Sequence, residues 1–148
     1  RRGKRRRRRS RSTGGVNVGT LKVVYSPLSS YMKSVLYSLL PSLYPNTHVI
    51  VTKEDDGVVR DEDVGLVVVS VLDGGCGVEW EERCKEHVRG RKRRYKNAKV
   101  LMVSGEAWDL SDAKNVGVDV IWSAHYEDAH MPDGVQVVHF PNAVSSFG

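Results

Sequence analysis

The sequence is poor in cysteine. Its 148 residues include two, Cys76 and Cys84. Two are too few for a disulfide framework, and they lack the C-x-x-C spacing of zinc or thioredoxin sites. We expect Cys84 to face the interior of a helix and both thiols to be free, as in a reducing intracellular compartment. A single bridge between the two cysteines is the alternative, if residues 77–83 turn back.

Long apolar runs are also missing. The longest, Val64 to Leu72, is about half the length that a membrane-spanning helix needs. The N-terminus lacks the apolar centre of a secretory signal. Since 40% of the residues are hydrophobic and 28% are charged, we expect a soluble globular domain without a membrane span.

Acidic residues are absent from the first thirteen positions, which hold nine lysines and arginines. The remaining 14 basic and 18 acidic residues give the rest of the chain a formal charge of −4. Residues 1–15 include no apolar residue that could offset the entropy of ordering, so residues 1–18 are predicted to form a disordered polybasic arm. Clustered cations bind phosphates by releasing counterions. We therefore predict that nucleic acid or another polyanion contacts Arg1, Arg2, Lys4, Arg5, Arg6, Arg7, Arg8, Arg9 and Arg11. A nuclear address is the alternative interpretation of this arm.

Short apolar runs separated by turn residues begin at Gly19. Strands are predicted at 21–25, 48–52, 64–71, 98–104, 118–122 and 135–140, and helices at 28–40, 78–97 and 109–115. The run 64–71 is continuously apolar, which indicates a strand buried on both faces. Residues 19–148 are therefore predicted to be a single α/β domain, a mostly parallel Rossmann-like sheet with helices on both faces.

Several local features sharpen this prediction. Val67, Val69 and Leu101 are expected to be inaccessible because their strands are covered on both sides. We expect the first helix to stop near Pro41 and Pro45, and Gly90 is the candidate point for an interruption of the second.

A second basic cluster occupies the second half of the charged helix, where Arg89 to Lys99 includes seven basic residues and no acid. Its candidates for polyanion contact are Arg91, Lys92, Arg93 and Arg94. A solvated helix end is the alternative interpretation.

Two other patterns predict no site. The glycines of DGGCG follow a buried strand but lack the spacing of a dinucleotide or P-loop motif, so a tight turn is favoured over nucleotide binding. His125 and His130 flank Glu127 and Asp128, which could close on a cation, but a solvated loop is favoured and no metal site is predicted.

The segment SGEAWD follows the predicted strand at 98–104. Ligands of parallel α/β sheets bind beyond the carboxyl ends of the strands, so the candidate site residues are Ser104, Gly105, Glu106, Trp108 and Asp109. Glu106, a carboxylate that we expect the Trp108 indole to shield partly from water, is the candidate general base. A solvated turn is the alternative.

Three segments taken together resemble the α-1,3-fucosyltransferase family. They are SGEAWD, VDVIWSAH and the closing VVHFPNAVSSFG, in residues 98–148. Their order is that of the family: a strand ending in Gly-Glu, a further strand, then a Phe-Pro segment that ends in Ser-Phe.

The resemblance implies an inverting glycosyltransferase with two Rossmann-like domains, the first binding the acceptor sugar and the second binding GDP-fucose. It implies that Glu106 is the catalytic base for the acceptor hydroxyl, with Ser104, Gly105, Trp108 and Asp109 beside the acceptor. No segment here matches the donor-binding domain. We therefore expect no cofactor in this chain and no sugar transfer by the chain alone.

A second interpretation belongs to another class of protein. The chain would be a non-catalytic structural or packaging protein of the kind found in virions, with a glycosyltransferase fold and an arm that binds nucleic acid. It would then act within a larger assembly.

Overall fold

A computed structural model describes residues 19–26, 28, 30–71, 79–105, 108–123 and 130–139. In chain order, the elements are β1 (Gly19–Tyr25), α1 (Ser30–Leu43), β2 (Thr47–Lys53), β3 (Leu66–Val71), α2 (Glu82–Arg94), β4 (Lys99–Ser104), α3 (Ala113–Val116), β5 (Val120–Ser123) and β6 (Gln136–His139). Two short 3-10 turns, Glu54–Asp56 and Asp61–Asp63, connect β2 to β3. The predicted arm, 1–18, lies outside the described residues.

All six strands form one parallel sheet in the order β2-β1-β3-β4-β5-β6. This confirms the predicted Rossmann-like α/β class. From β1, the chain first adds β2 on one side and then adds β3 to β6 in sequence on the other side. The direction in which strands are added therefore reverses between β1 and β3, as in flavodoxin-like folds.

Helices cover both faces of the sheet. On one face, α1 packs against a core cluster that includes Val23 of β1 and Val68 of β3. On the other, α2 and α3 enclose a second cluster. Val67, Val69 and Leu101 are 0% exposed, which confirms the prediction made from the continuous apolar runs.

One helix prediction was confirmed and one was wrong. α1 ends at Leu43, between Pro41 and Pro45. Pro41 lies in the last turn, where the missing N–H costs the helix a single bond, to the carbonyl of Tyr37. α2 passes through Gly90 without a break. One glycine costs a helix about 1 kcal/mol, and the ion pair of Glu86 with Arg93 spans this position.

The cysteine prediction was also wrong in part. Cys84 is fully buried in the first turn of α2, as expected, but it is disulfide-bonded. The other cysteine, Cys76, lies outside the described residues. We expected a reducing compartment because we expected free thiols, and the disulfide-bonded Cys84 does not support that expectation.

Among the described residues, no helix is long and apolar enough to cross a bilayer.

Candidate site at the carboxyl edge of the sheet

The carboxyl edge, where the parallel strands end, is the general location of ligand sites in open α/β sheets. β4 ends at Ser104 and β5 at Ser123, which are paired in the sheet register. Of the residues predicted from SGEAWD, Ser104, Gly105, Trp108 and Asp109 are described, and they lie at this edge. Glu106, the predicted base, lies outside the described residues.

Side chains at the carboxyl edge include a row of small hydroxyls. Ser104 and Ser123 are both fully buried, and the next register partner of Ser123 is His139. Alternation along the strands places all three on the face covered by α2 and α3, because Met102, Ile121 and Val137 belong to that core. Each of the three takes part in an interaction within the protein. The sequence contains a signal for this row, a serine at the end of each of two neighbouring strands. The sequence analysis predicted a site residue only at Ser104 and not at Ser123.

Trp108 lies four residues beyond the end of β4. The side chain is partly buried and packs against the core under α2 and α3. The indole Nε1 is buried and has no hydrogen-bond partner in the described part of the chain, as is also true of Trp122 Nε1 and Arg91 Nε. Because Nε1 is buried, a ligand could contact the partly exposed ring of Trp108 but not its N–H.

Asp109 has a structural role that the sequence analysis did not anticipate. One carboxylate oxygen, Oδ1, accepts a hydrogen bond from the backbone N–H of Ser111 at 3.1 Å. The hydroxyl and the backbone of Ser111 hold the pKa of Asp109 below its ordinary value. The backbone of Asp109 also forms an isolated bridge to His130, and the N–H of Leu110 donates to the His130 carbonyl at 2.7 Å. Asp109 therefore fixes the turn that leads into α3.

The reversal point between β1 and β3 carries a polar cluster that the sequence did not reveal. Ser26, just after β1, is 2% exposed, and its Oγ lies 3.5 Å from Nε2 of His87 on α2. Burial and the positive charge of Arg91 lower the pKa of His87, while Glu54 acts in the opposite direction.

Glu54 is the centre of the neighbouring ion-pair network. Its Oε1 accepts a hydrogen bond from Arg91 at 2.7 Å and its Oε2 one from the Tyr95 hydroxyl at 2.8 Å. Burial and then this bond raise the pKa of Tyr95. Both carboxylate oxygens are thus in use, and Ser26 is inaccessible. Ser26, His87 and Glu54 therefore form a structural cluster and not a nucleophile with its base.

The second basic cluster is held in ion pairs. Arg91 pairs with Glu54, Lys92 with Asp119 at 2.6 Å, Arg93 with Glu86 at 3.2 Å, and Arg94 with Asp61 at 3.1 Å. A polyanion would have to compete with these carboxylates. Polyanion contact at this cluster stays a prediction, as it does for the nine cations of the arm, which lie outside the described residues.

Metal ligands do not converge in the described part of the chain, where no group of three His, Cys, Asp or Glu side chains could hold an ion. His130 is described and exposed. His125, Glu127 and Asp128 lie outside the described residues, as do the glycines of DGGCG.

Comparisons with known proteins give little to add to this geometry. No family model and no curated protein matches the chain. Among solved structures, the chain is similar to a pilus assembly-related protein from Burkholderia pseudomallei, with 14% identity over 70% of this chain and 77% of that one and a TM-score of 0.48. A likeness of this size carries no argument about function.

Proposed function

We propose that this chain is the acceptor-binding half of an inverting glycosyltransferase of the fucosyltransferase type. One observation supports this proposal most: the SGEAWD segment follows β4 at the carboxyl edge of a parallel sheet and includes a partly exposed tryptophan, Trp108. Sugars are bound through many hydroxyl groups and one apolar ring face, and an indole offers a surface for that face.

The reaction assigns one proton transfer to this half. The acceptor hydroxyl loses its proton to the carboxylate of Glu106 while its oxygen bonds to the anomeric carbon of fucose, and GDP leaves with the electron pair of the broken bond. A general base must lie within hydrogen-bond reach of that hydroxyl. GDP-fucose would be held by a second domain, so this chain contributes acceptor binding and the base.

Acceptor binding by the full chain tests the first part of the proposal. We expect a panel of oligosaccharides, followed by saturation-transfer NMR, to include one that binds and whose affinity falls at least tenfold in Trp108→Ala, which removes the partly exposed ring that would pack on the sugar. Trp80→Ala is the matched control, because the Trp80 indole is also partly buried and its N–H donates to Asp112 at 2.8 Å. If no oligosaccharide binds, or if both variants bind equally well, the acceptor assignment is wrong.

Catalysis by Glu106 is tested with a donor-binding domain supplied in the same polypeptide. Glu106→Gln should lower turnover by roughly 10² or more, the usual contribution of a general base, without weakening acceptor binding. Equal turnover in the two proteins would remove the catalytic role and leave acceptor binding intact.

A second candidate function rests on the charge division of the chain. Nine cations and no acid occur in residues 1–13, whereas the rest of the chain is net negative. We propose that the arm binds nucleic acid or another polyanion through charge alone. Log affinity for duplex DNA should then fall linearly with log salt, with a slope of about −0.9 per phosphate contact. Deletion of residues 1–13 should abolish this binding, and retention of affinity and slope would contradict the assignment.

A further inference from the structure

We propose that β2 pairs antiparallel with β2 of a second copy and joins the two six-stranded sheets into one. β2 is the outer strand at one side of the sheet. It pairs with β1 along its whole length, and within the described residues it has no strand on its other side. Its outward N–H and C=O groups are therefore free to bond another strand.

The β2 edge lacks the features that usually prevent such pairing. Protected edges are short, bulged, or carry proline or charge. β2 has seven residues, none of them proline, and its five central residues, HVIVT, include no lysine, arginine or acid. The opposite edge strand, β6, has four residues.

The β2 sequence is self-complementary about Ile50. In an antiparallel pair centred there, Val49 lies opposite Val51 of the second copy, and Ile50 opposite itself. Lys53 lies opposite Thr47, so the paired segment brings no two like charges together. The acidic turn Glu54–Asp56 lies opposite residues 44–46, Tyr-Pro-Asn, which carry no charge. Cross-strand apolar pairs stabilise a sheet, whereas like charges directly opposite destabilise it.

The α1 side of this edge holds a small apolar cavity. Val49 and Val51 line it together with Tyr37, Leu40 and Pro41 of α1, and its volume is about 110 Å³. The Tyr37 side chain is 52% exposed, one of two large hydrophobic residues described as exposed. A second copy would bring its own valines and α1 against this cavity. Ile50, on the opposite face, would meet Ile50 of the second copy.

The test is sedimentation velocity of the full chain across a range of concentrations. We expect a dimer, and we expect Ile50→Lys to weaken self-association at least tenfold because it sets two lysines against each other. Val58→Lys is the matched control, since Val58 is 69% exposed and lies outside β2. A mixture of Ile50→Lys with Ile50→Glu should recover the dimer as a heterodimer.

Three results would overturn the proposal: a wild-type chain that stays monomeric at roughly 100 μM, a dimer that Ile50→Lys leaves unchanged, or equal loss in Val58→Lys. If circular dichroism shows that Ile50→Lys is unfolded, hydrogen exchange of the wild-type chain decides. Protection of the amides at 48–52 should then rise with protein concentration, and protection that does not change with concentration contradicts the dimer.

Discussion

Two segments that the sequence singles out, Arg91 to Arg94 and Ser104 to Asp109, lie at opposite ends of the sheet. The first ends α2, just before β4 starts, and the second begins where β4 ends. Carboxylates pair with every cation of the first segment, three of them from distant parts of the chain and one, Glu86, from the same helix. The second segment holds no basic residue and includes the partly exposed ring of Trp108. A cluster of like charge in the sequence is thus no measure of free charge in the fold.

The sheet that separates the two segments should respond most to mutation. Leu101→Ala in β4 should lower the free energy of unfolding by about 2 to 5 kcal/mol, through lost apolar burial and the cavity left behind. Val58→Ala, at an exposed position, should leave it within about 0.5 kcal/mol. Denaturant unfolding measures both. A cost near zero for Leu101→Ala would show that β4 is not the central support of both segments.

Ion pairs at the α2 end should be structural where they are buried. The Glu54 side chain is 4% exposed and its partner Arg91 24%. Glu54→Gln should destabilise the fold by about 3 kcal/mol, because it leaves a largely buried guanidinium without its counter-charge. Glu86→Gln, which breaks exposed pairs on the same helix, should have no measurable effect on unfolding. If the two variants are equally stable, burial does not distinguish these networks.

A smaller effect is expected from pH at His87. Because burial and then Arg91 lower the pKa of this imidazole, the folded chain binds the proton less readily than the unfolded chain, whose reference pKa is 6.5. Stability should therefore fall as the pH drops below about 6.5, and the loss should be complete below the lowered pKa. His87→Gln should flatten the pH dependence of the unfolding free energy below pH 6.5. An unchanged slope would contradict the assignment.

Much of the fold could be predicted from the sequence because the patterns that determine it are local. The continuous run of β3 predicted a strand buried on both faces, and the apolar stripe that includes Val35 and Leu36 predicted the packed face of α1. Strand order is not local, and the sequence did not reveal that the sheet reverses between β1 and β3. The prolines near residue 43 predicted the end of α1 correctly, whereas Gly90 was overestimated as a helix breaker, since one glycine costs a helix about 1 kcal/mol.

The candidate site could be predicted less completely. Its location followed from one rule, that ligands bind beyond the carboxyl ends of parallel strands. The polar cluster at the reversal point did not follow, because its members come from distant positions. Glu54 and Arg91 are 37 residues apart, and Ser26 and His87 are 61 apart. Residue spacing does not reveal contacts at these separations. The ion pairs that hold the basic cluster could therefore be seen only in the fold.

The three tryptophans allow the central claim, acceptor binding at the carboxyl edge, to be measured directly. In a ¹⁵N-resolved NMR titration of the full chain with the oligosaccharide that binds best, the indole N–H signals of Trp80, Trp108 and Trp122 report separately. The account predicts that the Trp108 indole and the backbone amides of Ser104 and Gly105 shift with one dissociation constant. The Trp80 indole, already bonded to Asp112, should stay in place. Shifts confined to Arg91 to Arg94, or no shifts with any oligosaccharide, would contradict the account.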